Sequence, residues 1–220
     1  LLAPAGIVAS KIMIPETGQP LTLGKVVPVE YQKATNAIEA IINGSMTGVR
    51  MVVGIGALLI AFIGLTALVD SGLLALSRLF GSILHARVDI TLHNLLSYLF
   101  YPFTLAMGVP LEDAQAIARI IGERIIETEV KSYQDLSVLV KEGKILYERS
   151  TVIATYALCG FAHIPSLAIF VGGTSSIVPE RTKDIAVLGL WALIASNMAC
   201  LMTGAMAGIF YTGGGGMLFK

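Results

Sequence analysis

The chain has 220 residues, of which 55% are hydrophobic and 14% charged, and its 15 basic and 15 acidic side chains balance to zero net charge. Soluble domains carry about 25% charged residues, so this composition and a mean hydropathy of +0.78 indicate an integral membrane protein. A neutral chain has no electrostatic attraction for nucleic acid, and two cysteines do not form a zinc pattern. We therefore expect contact with a lipid bilayer and neither nucleic acid nor a bound metal.

The N-terminal segment is predicted to be the end of a membrane span at residues 1–14, because an apolar run stops at Pro15. Residues 16–33 are polar and contain two prolines, which predicts a loop outside the bilayer. The chain begins at Leu1 within apolar sequence and ends in GGGGMLFK. We therefore expect it to be part of a longer protein.

The clearest span is predicted at residues 46–69, where no charged side chain follows Arg50. A run of this length is long enough to cross the hydrocarbon core of a bilayer. Asp70 is predicted to close this span, which would serve as a scaffold helix. Residues 73–89 are then expected to form a short amphipathic connection.

Residues 92–145 are predicted to contain helices and a re-entrant hairpin. The first part is apolar but interrupted by Pro102 and Pro110, so a full span and a broken one both remain open. The second part is rich in charge, yet isoleucines recur three and four residues apart and give one apolar helical face. These are Ile117, Ile120, Ile121 and Ile125. Such a helix is too short to span a bilayer and fits a re-entrant segment.

Residues 151–178 carry no charge, but Gly160 and Pro165 predict that this helix is broken. Pro165 lacks a backbone N–H, and in a continuous helix its ring would clash with the carbonyl of Phe161. In lipid, a free carbonyl is tolerated only where it is buried in protein or lines a wet cavity. Transporters use broken helices of this kind to hold a substrate near the membrane midplane. With a last span at 185–211, the chain is predicted to be all-α.

His163 and Glu129 are the polar groups with the clearest chemistry. His163 can donate and accept hydrogen bonds and can take up a proton near neutral pH, and polar groups inside membrane segments are usually functional. We therefore predict that His163 contacts a substrate and makes uptake depend on pH; the alternative is a buried histidine that ties two helices together. Glu129 can accept hydrogen bonds from a cis-diol. Its alternative is a surface charge paired with Lys131 or Arg124.

Phe161 and Ser166 are weaker candidates. Phe161 suits stacking against a substrate ring, although a phenylalanine in an apolar helix is usually a packing residue. The Ser166 hydroxyl can bond a ligand or instead its own backbone at i−4.

The segment 159–166, CGFAHIPS, resembles the concentrative nucleoside transporters, in which it typically reads CGFANxSS. Further similar motifs follow in the family's order. They are NAIEA at 36–40, MGVP at 107–110 followed by Glu112 and Asp113, YQDL at 133–136, GG at 172–173 and VPER at 178–181. The resemblance covers nearly all of residues 1–220.

The resemblance implies the C-terminal transport portion of a symporter that imports nucleosides with sodium or protons by alternating access. It implies a multi-pass protein of the inner (plasma) membrane, a homotrimer, and no enzyme activity or cofactor beyond the coupling ion. The ligands of that ion are expected mainly in an N-terminal half that this chain lacks.

By the same resemblance, Glu129 matches the ribose-binding carboxylate, Phe161 the aromatic residue near the substrate, and Ser166 a serine that contacts ribose. Cys159 matches a cysteine beside the pocket. Three positions depart from the family and fall in its substrate site. His163 and Thr128 stand where asparagine is usual, and Pro165 stands where serine is usual. The predicted substrate-binding set is Glu129, Phe161, His163, Ser166 and Thr128.

These departures keep two other functions open, a non-transporting gate or sensor on the same fold and a transporter of a different small polar metabolite. A membrane enzyme would need a catalytic set such as paired acids in one span, and the sequence places its acidic residues outside the spans.

Overall fold

The computed structural model describes residues 2–19, 23–25, 34–84 and 91–213, and the side chains of these residues outside 80–84. Parts of the predicted 16–33 loop and 73–89 connection lie outside the described residues, as does the glycine-rich end of the chain. Within the described residues all regular structure is helical, as predicted. The helices are α1 (Leu2–Met13), α2 (Ala37–Leu84), α3 (Leu92–Ala106), α4 (Leu111–Ile126), α5 (Glu129–Lys141), α6 (Glu148–Leu158), α7 (Ile164–Ile177) and α8 (Thr182–Ile209), with a 3₁₀ turn at Pro179–Arg181.

Helix α2 continues without interruption past Asp70, where the membrane span was predicted to close, to Leu84. The Asp70 carboxylate accepts the backbone N–H of Leu92 at 3.1 Å, and neither Asp70 nor the following Ser71 and Gly72 ends the helix. Within the described residues, two helical segments are long and apolar enough to cross a membrane, Ala37–Leu79 and Pro179–Ile209. Helix α7 packs against α2 near Gly54, but no residue in the most apolar stretch of α2 is fully buried, so lipid or other protein must cover its remaining apolar surface.

Helices α3 and α4 form the core on which the site rests. Pro102 lies inside α3 without ending it, so the open question about this segment is resolved in favour of one short helix. The predicted isoleucine face of α4 is confirmed, because Ile117, Ile120 and Ile121 are buried. A side chain at Gly122 would lie 2.8 Å from the backbone of α3, so this glycine permits the close approach of the two helices.

Helices α4 and α5 form a helical hairpin that is closed by a buried carboxylate. Asp113, at the start of α4, has no exposed surface. It accepts the backbone N–H groups of Leu146 at 2.8 Å and Tyr147 at 3.0 Å, and the hydroxyl of Ser150 at 2.5 Å. The chain leaving α5 is thereby returned to the beginning of α4, and the first turn of α6 starts there.

We predict that Asp113→Asn destabilises the full-length protein by about 1–3 kcal/mol, the range for removing charge-assisted hydrogen bonds from a buried site. The amide retains one acceptor oxygen, while its NH₂ group faces backbone donors. The matched control is Glu112→Gln at the neighbouring exposed position. Thermal unfolding in detergent measures the effect, and equal unfolding temperatures for the two variants would contradict this role of Asp113.

Candidate functional site

The site lies where the tip of the hairpin meets the break between α6 and α7. Glu127 and Thr128 form the turn between the hairpin helices, and Glu129 is the first residue of α5. Thr128 occupies the N-cap position of α5, but its side chain is exposed and makes no capping hydrogen bond. Because α5 begins at Glu129, this carboxylate lies at a helix N-terminus, where the helix dipole favours negative charge.

The predicted break is present at residues 159–163, between α6 and α7. Pro165 takes one of the first two positions of α7, where an N–H would have no helical partner in any case. The carbonyl of Phe161, which Pro165 cannot serve, lies 3.1 Å from the hydroxyl oxygen of Ser166. Pro165 thus separates two helices and begins the second one.

His163 caps the start of α7 through a capping box with Ser166. The Nδ1 atom of His163 accepts the backbone N–H of Ser166 at 3.0 Å, and the backbone N–H of His163 donates to Ser166 Oγ at 3.0 Å. An acceptor Nδ1 is unprotonated, so the hydrogen of the neutral ring is on Nε2. This Nε2 forms a hydrogen bond with Oε2 of Glu129.

The Glu129–His163 pair replaces both partners that the sequence offered for Glu129. Lys131 instead bonds Asp135 at 2.6 Å, and Arg124 bonds groups on α6 and α8. The imidazole is enclosed, with 2% of its side chain exposed, whereas 28% of the Glu129 side chain is exposed. The carboxylate therefore remains accessible while the ring fixes its orientation.

The other predicted residues, Phe161, Ser166 and Thr128, differ in how they lie relative to the Glu129–His163 pair. The edge of the His163 ring and the Phe161 ring meet at a centroid distance of 4.9 Å and an angle of 70°, and Phe161 is 54% exposed. Ser166 is buried and its hydroxyl is engaged locally. Phe161 and Ser166 also line a cavity of about 170 Å³ between α7 and α8. The structure thus assembles Glu129, His163 and Phe161, places Ser166 behind them and leaves Thr128 at the exposed turn.

Two further polar residues at the site were missed from the sequence, Arg124 and Asn197. Both are buried, and they are hydrogen-bonded to each other at 2.5 Å. Arg124 follows Ile117 and Ile121 at helical spacing, so its position on the apolar face of α4 was the available signal. For Asn197 the signal was an amide within an apolar span.

The chain matches the family described as "Na+ dependent nucleoside transporter C-terminus" over residues 1–208. It is 37% identical to human solute carrier family 28 member 3, covering 94% of this chain and 31% of that protein. It is 34% identical to the nucleoside permease NupC of Helicobacter pylori, covering 94% of this chain and 48% of that protein. The chain therefore spans half or less of the relatives it matches.

Solved structures of CNTnw have the same fold. An outward-facing variant aligns with 94% of this chain and 48% of its own, at 31% identity and a TM-score of 0.80. The inward-facing substrate-bound state gives a TM-score of 0.63. The intermediate 3 state gives a TM-score of 0.76.

We predict that His163→Leu destabilises the full-length protein by about 1 kcal/mol, the usual effect of losing a helix N-cap. His163→Asn is the matched variant, because asparagine is among the best N-cap residues and restores an acceptor for the Ser166 N–H. Chemical or thermal unfolding of both variants tests this. If they unfolded alike, His163 would not act as the cap.

Proposed function

Since this chain belongs to the family of sodium-dependent nucleoside transporters, we propose that the full-length protein imports nucleosides across the plasma membrane by symport with sodium or a proton. It is proposed to act by alternating access, with the hairpin and the broken helix moving together against α2. The family is one of transporters, so no bond in the substrate changes. The coupling-ion ligands are expected mainly in the half of the protein that precedes this chain.

The observation that carries the proposal is the partly exposed carboxylate of Glu129 at the meeting of two helix N-termini. Oε2 of Glu129 is held by His163, and its Oε1 accepts no hydrogen bond from the described residues. A sugar hydroxyl can donate to this oxygen, and hydrogen bonds to a charged acceptor are the stronger kind. The exposed Phe161 ring alongside offers a stacking surface for a nucleobase.

Alternating access and trimer formation have separate support. The CNTnw structures to which this chain is similar include outward-facing, intermediate and inward-facing states, which supports the proposed alternating access. Beside its contact with α7, helix α2 exposes large apolar side chains such as Val52, Ile60 and Leu68, which suits a scaffold helix that contacts lipid and the other protomers of a homotrimer.

A second candidate is transport of a different small polar metabolite, and a third is a non-transporting gate or sensor. Both are favoured by the ionisable His163, because the concentrative nucleoside transporters usually have asparagine at this position. Accumulation of nucleoside against a gradient separates the proposed transporter from a sensor. Competition by other polar metabolites separates the two transport functions.

We predict that Glu129→Gln abolishes gradient-driven uptake of radiolabelled uridine and adenosine by the full-length protein in liposomes. The amide lacks the charge that strengthens hydrogen bonds from sugar hydroxyls. Sodium and proton gradients are imposed in turn, and Glu142→Gln, at the exposed far end of the hairpin, is the matched control. Unchanged uptake by Glu129→Gln would remove this residue from the site, and no uptake by the wild type would refute nucleoside transport.

We also predict that nucleoside binding weakens on acidification, when His163 takes up a proton. A proton on Nδ1 of His163 ends its role as acceptor for the Ser166 N–H and thereby loosens the start of α7. In His163→Asn this part of the pH profile is expected to disappear. Equilibrium binding of uridine measures it, and an unchanged profile in His163→Asn would rule out this role.

A further inference from the structure

Arg124 is a fully buried cation at the centre of the site's framework. It lies on α4, near the tip of the hairpin. Its Nη1 donates to the carbonyl of Ala157 at 2.8 Å, and its Nη2 donates to Oδ1 of Asn197 at 2.5 Å. One planar side chain thus joins the hairpin to α6 and α8, a geometry that the rigid fork of a guanidinium suits.

The partners of Arg124 are uncharged. No carboxylate in the described part of the chain forms an ion pair with it, and its Nε is buried without a partner there. Ala157 lies in the last turn of α6, where carbonyls lack helical partners and the helix dipole is negative. The break between α6 and α7 is what creates this helix end. The positive charge and the broken helix therefore stabilise each other.

Asn197 extends the connection to the residue next to His163. While its Oδ1 accepts from Arg124, its Nδ2 donates to the carbonyl of Ala162 at 3.1 Å. In a continuous helix that carbonyl would accept the N–H of Ser166, which here goes to the His163 ring. Arg124 thus holds one end of the break directly, through Ala157, and the other end through Asn197.

We propose that Arg124 is a positioning residue that sets the Glu129–His163 pair by fixing the hairpin tip to both ends of the helix break. Arg124 and Glu129 are five residues apart at the hairpin tip, while His163 directly follows the residue held by Asn197. The distance between Glu129 and His163 then depends on this connection, beside the bond from the Tyr133 hydroxyl of α5 to the Thr155 carbonyl of α6 at 2.8 Å. Its consequence for nucleoside binding rests on the function proposed above.

If Arg124 only stabilised the fold, a variant that folds would keep the His163 ring and uridine binding unchanged. The partners of Arg124 are uncharged, so Arg124→Met leaves no opposite charge unpaired in the core, and it is expected to fold with a stability lowered by the unsatisfied polar groups. It nevertheless leaves the Ala157 carbonyl and the Asn197 amide without their shared partner. Arg124→Lys retains the charge but has a compact ammonium in place of the fork, so we expect partial rescue.

The test uses the full-length protein in lipid, with ¹⁵N-labelled histidine. Solid-state NMR reports the protonation and hydrogen bonding of the His163 ring nitrogens, assigned by their loss in His163→Asn, and calorimetry gives the dissociation constant for uridine. For Arg124→Met we expect shifted His163 signals and binding weakened about tenfold or more, since small misplacements of binding groups have large effects. Arg119→Met, on the exposed side of the same helix, is expected to match the wild type.

A second variant keeps the test decisive if Arg124→Met does not fold. Asn197→Asp retains an acceptor for Arg124 but loses the donor to Ala162, so it is expected to shift the His163 signals as well. Unshifted His163 signals in a folded variant of either kind would overturn the positioning role, whether or not uridine binds. A wild type that does not bind uridine while the His163 signals still shift would refute nucleoside binding and leave the positioning role supported.

Discussion

The constraint on which this structure depends is that a helix broken inside a membrane must have its freed backbone groups satisfied by protein. Three carbonyls around the break between α6 and α7 show how this is done. The Phe161 carbonyl lies within hydrogen-bond distance of the Ser166 hydroxyl, the Ala157 carbonyl accepts from Arg124 and the Ala162 carbonyl accepts from Asn197. The three side chains that contact these carbonyls come from α4, α7 and α8, so all three helices are held at the break.

The same requirement explains why the candidate binding groups are ordered. The N–H groups at the start of α7 are served by His163 and Ser166, and the use of His163 Nδ1 for this cap leaves Nε2 directed at Glu129. The cap therefore fixes the orientation of the carboxylate. One imidazole ring thus caps α7 through Nδ1 and orients the Glu129 carboxylate through Nε2. Any change at His163 therefore affects both.

The sequence predicted the features that depend on local chemistry. Pro165 and Gly160 located the helix break, and the spacing of Ile117 and Ile121 located the buried face of α4. The sequence did not predict that helix α2 continues past Asp70, whose carboxylate accepts the backbone N–H of Leu92, twenty-two residues further on. A contact at that separation leaves no trace in a local pattern.

The partners within the site could not be predicted for the same reason. Glu129 and His163 are 34 residues apart, and Arg124 and Asn197 are 73 residues apart. Near Glu129 the sequence offered Lys131 and Arg124, which the fold directs elsewhere. The residue types were informative, but their pairing is set by how the hairpin packs against the break.

The most direct test of the central claim is a structure of the full-length protein in lipid with uridine bound. We predict density for the sugar within hydrogen-bond distance of the Glu129 carboxylate, with the base beside Phe161. A second cavity of about 240 Å³, lined by residues that include Asp70, His93 and Pro165, lies between α2 and the ends of the other helices. Uridine bound in that cavity, with Glu129 still held only by His163, would contradict the assignment of the site.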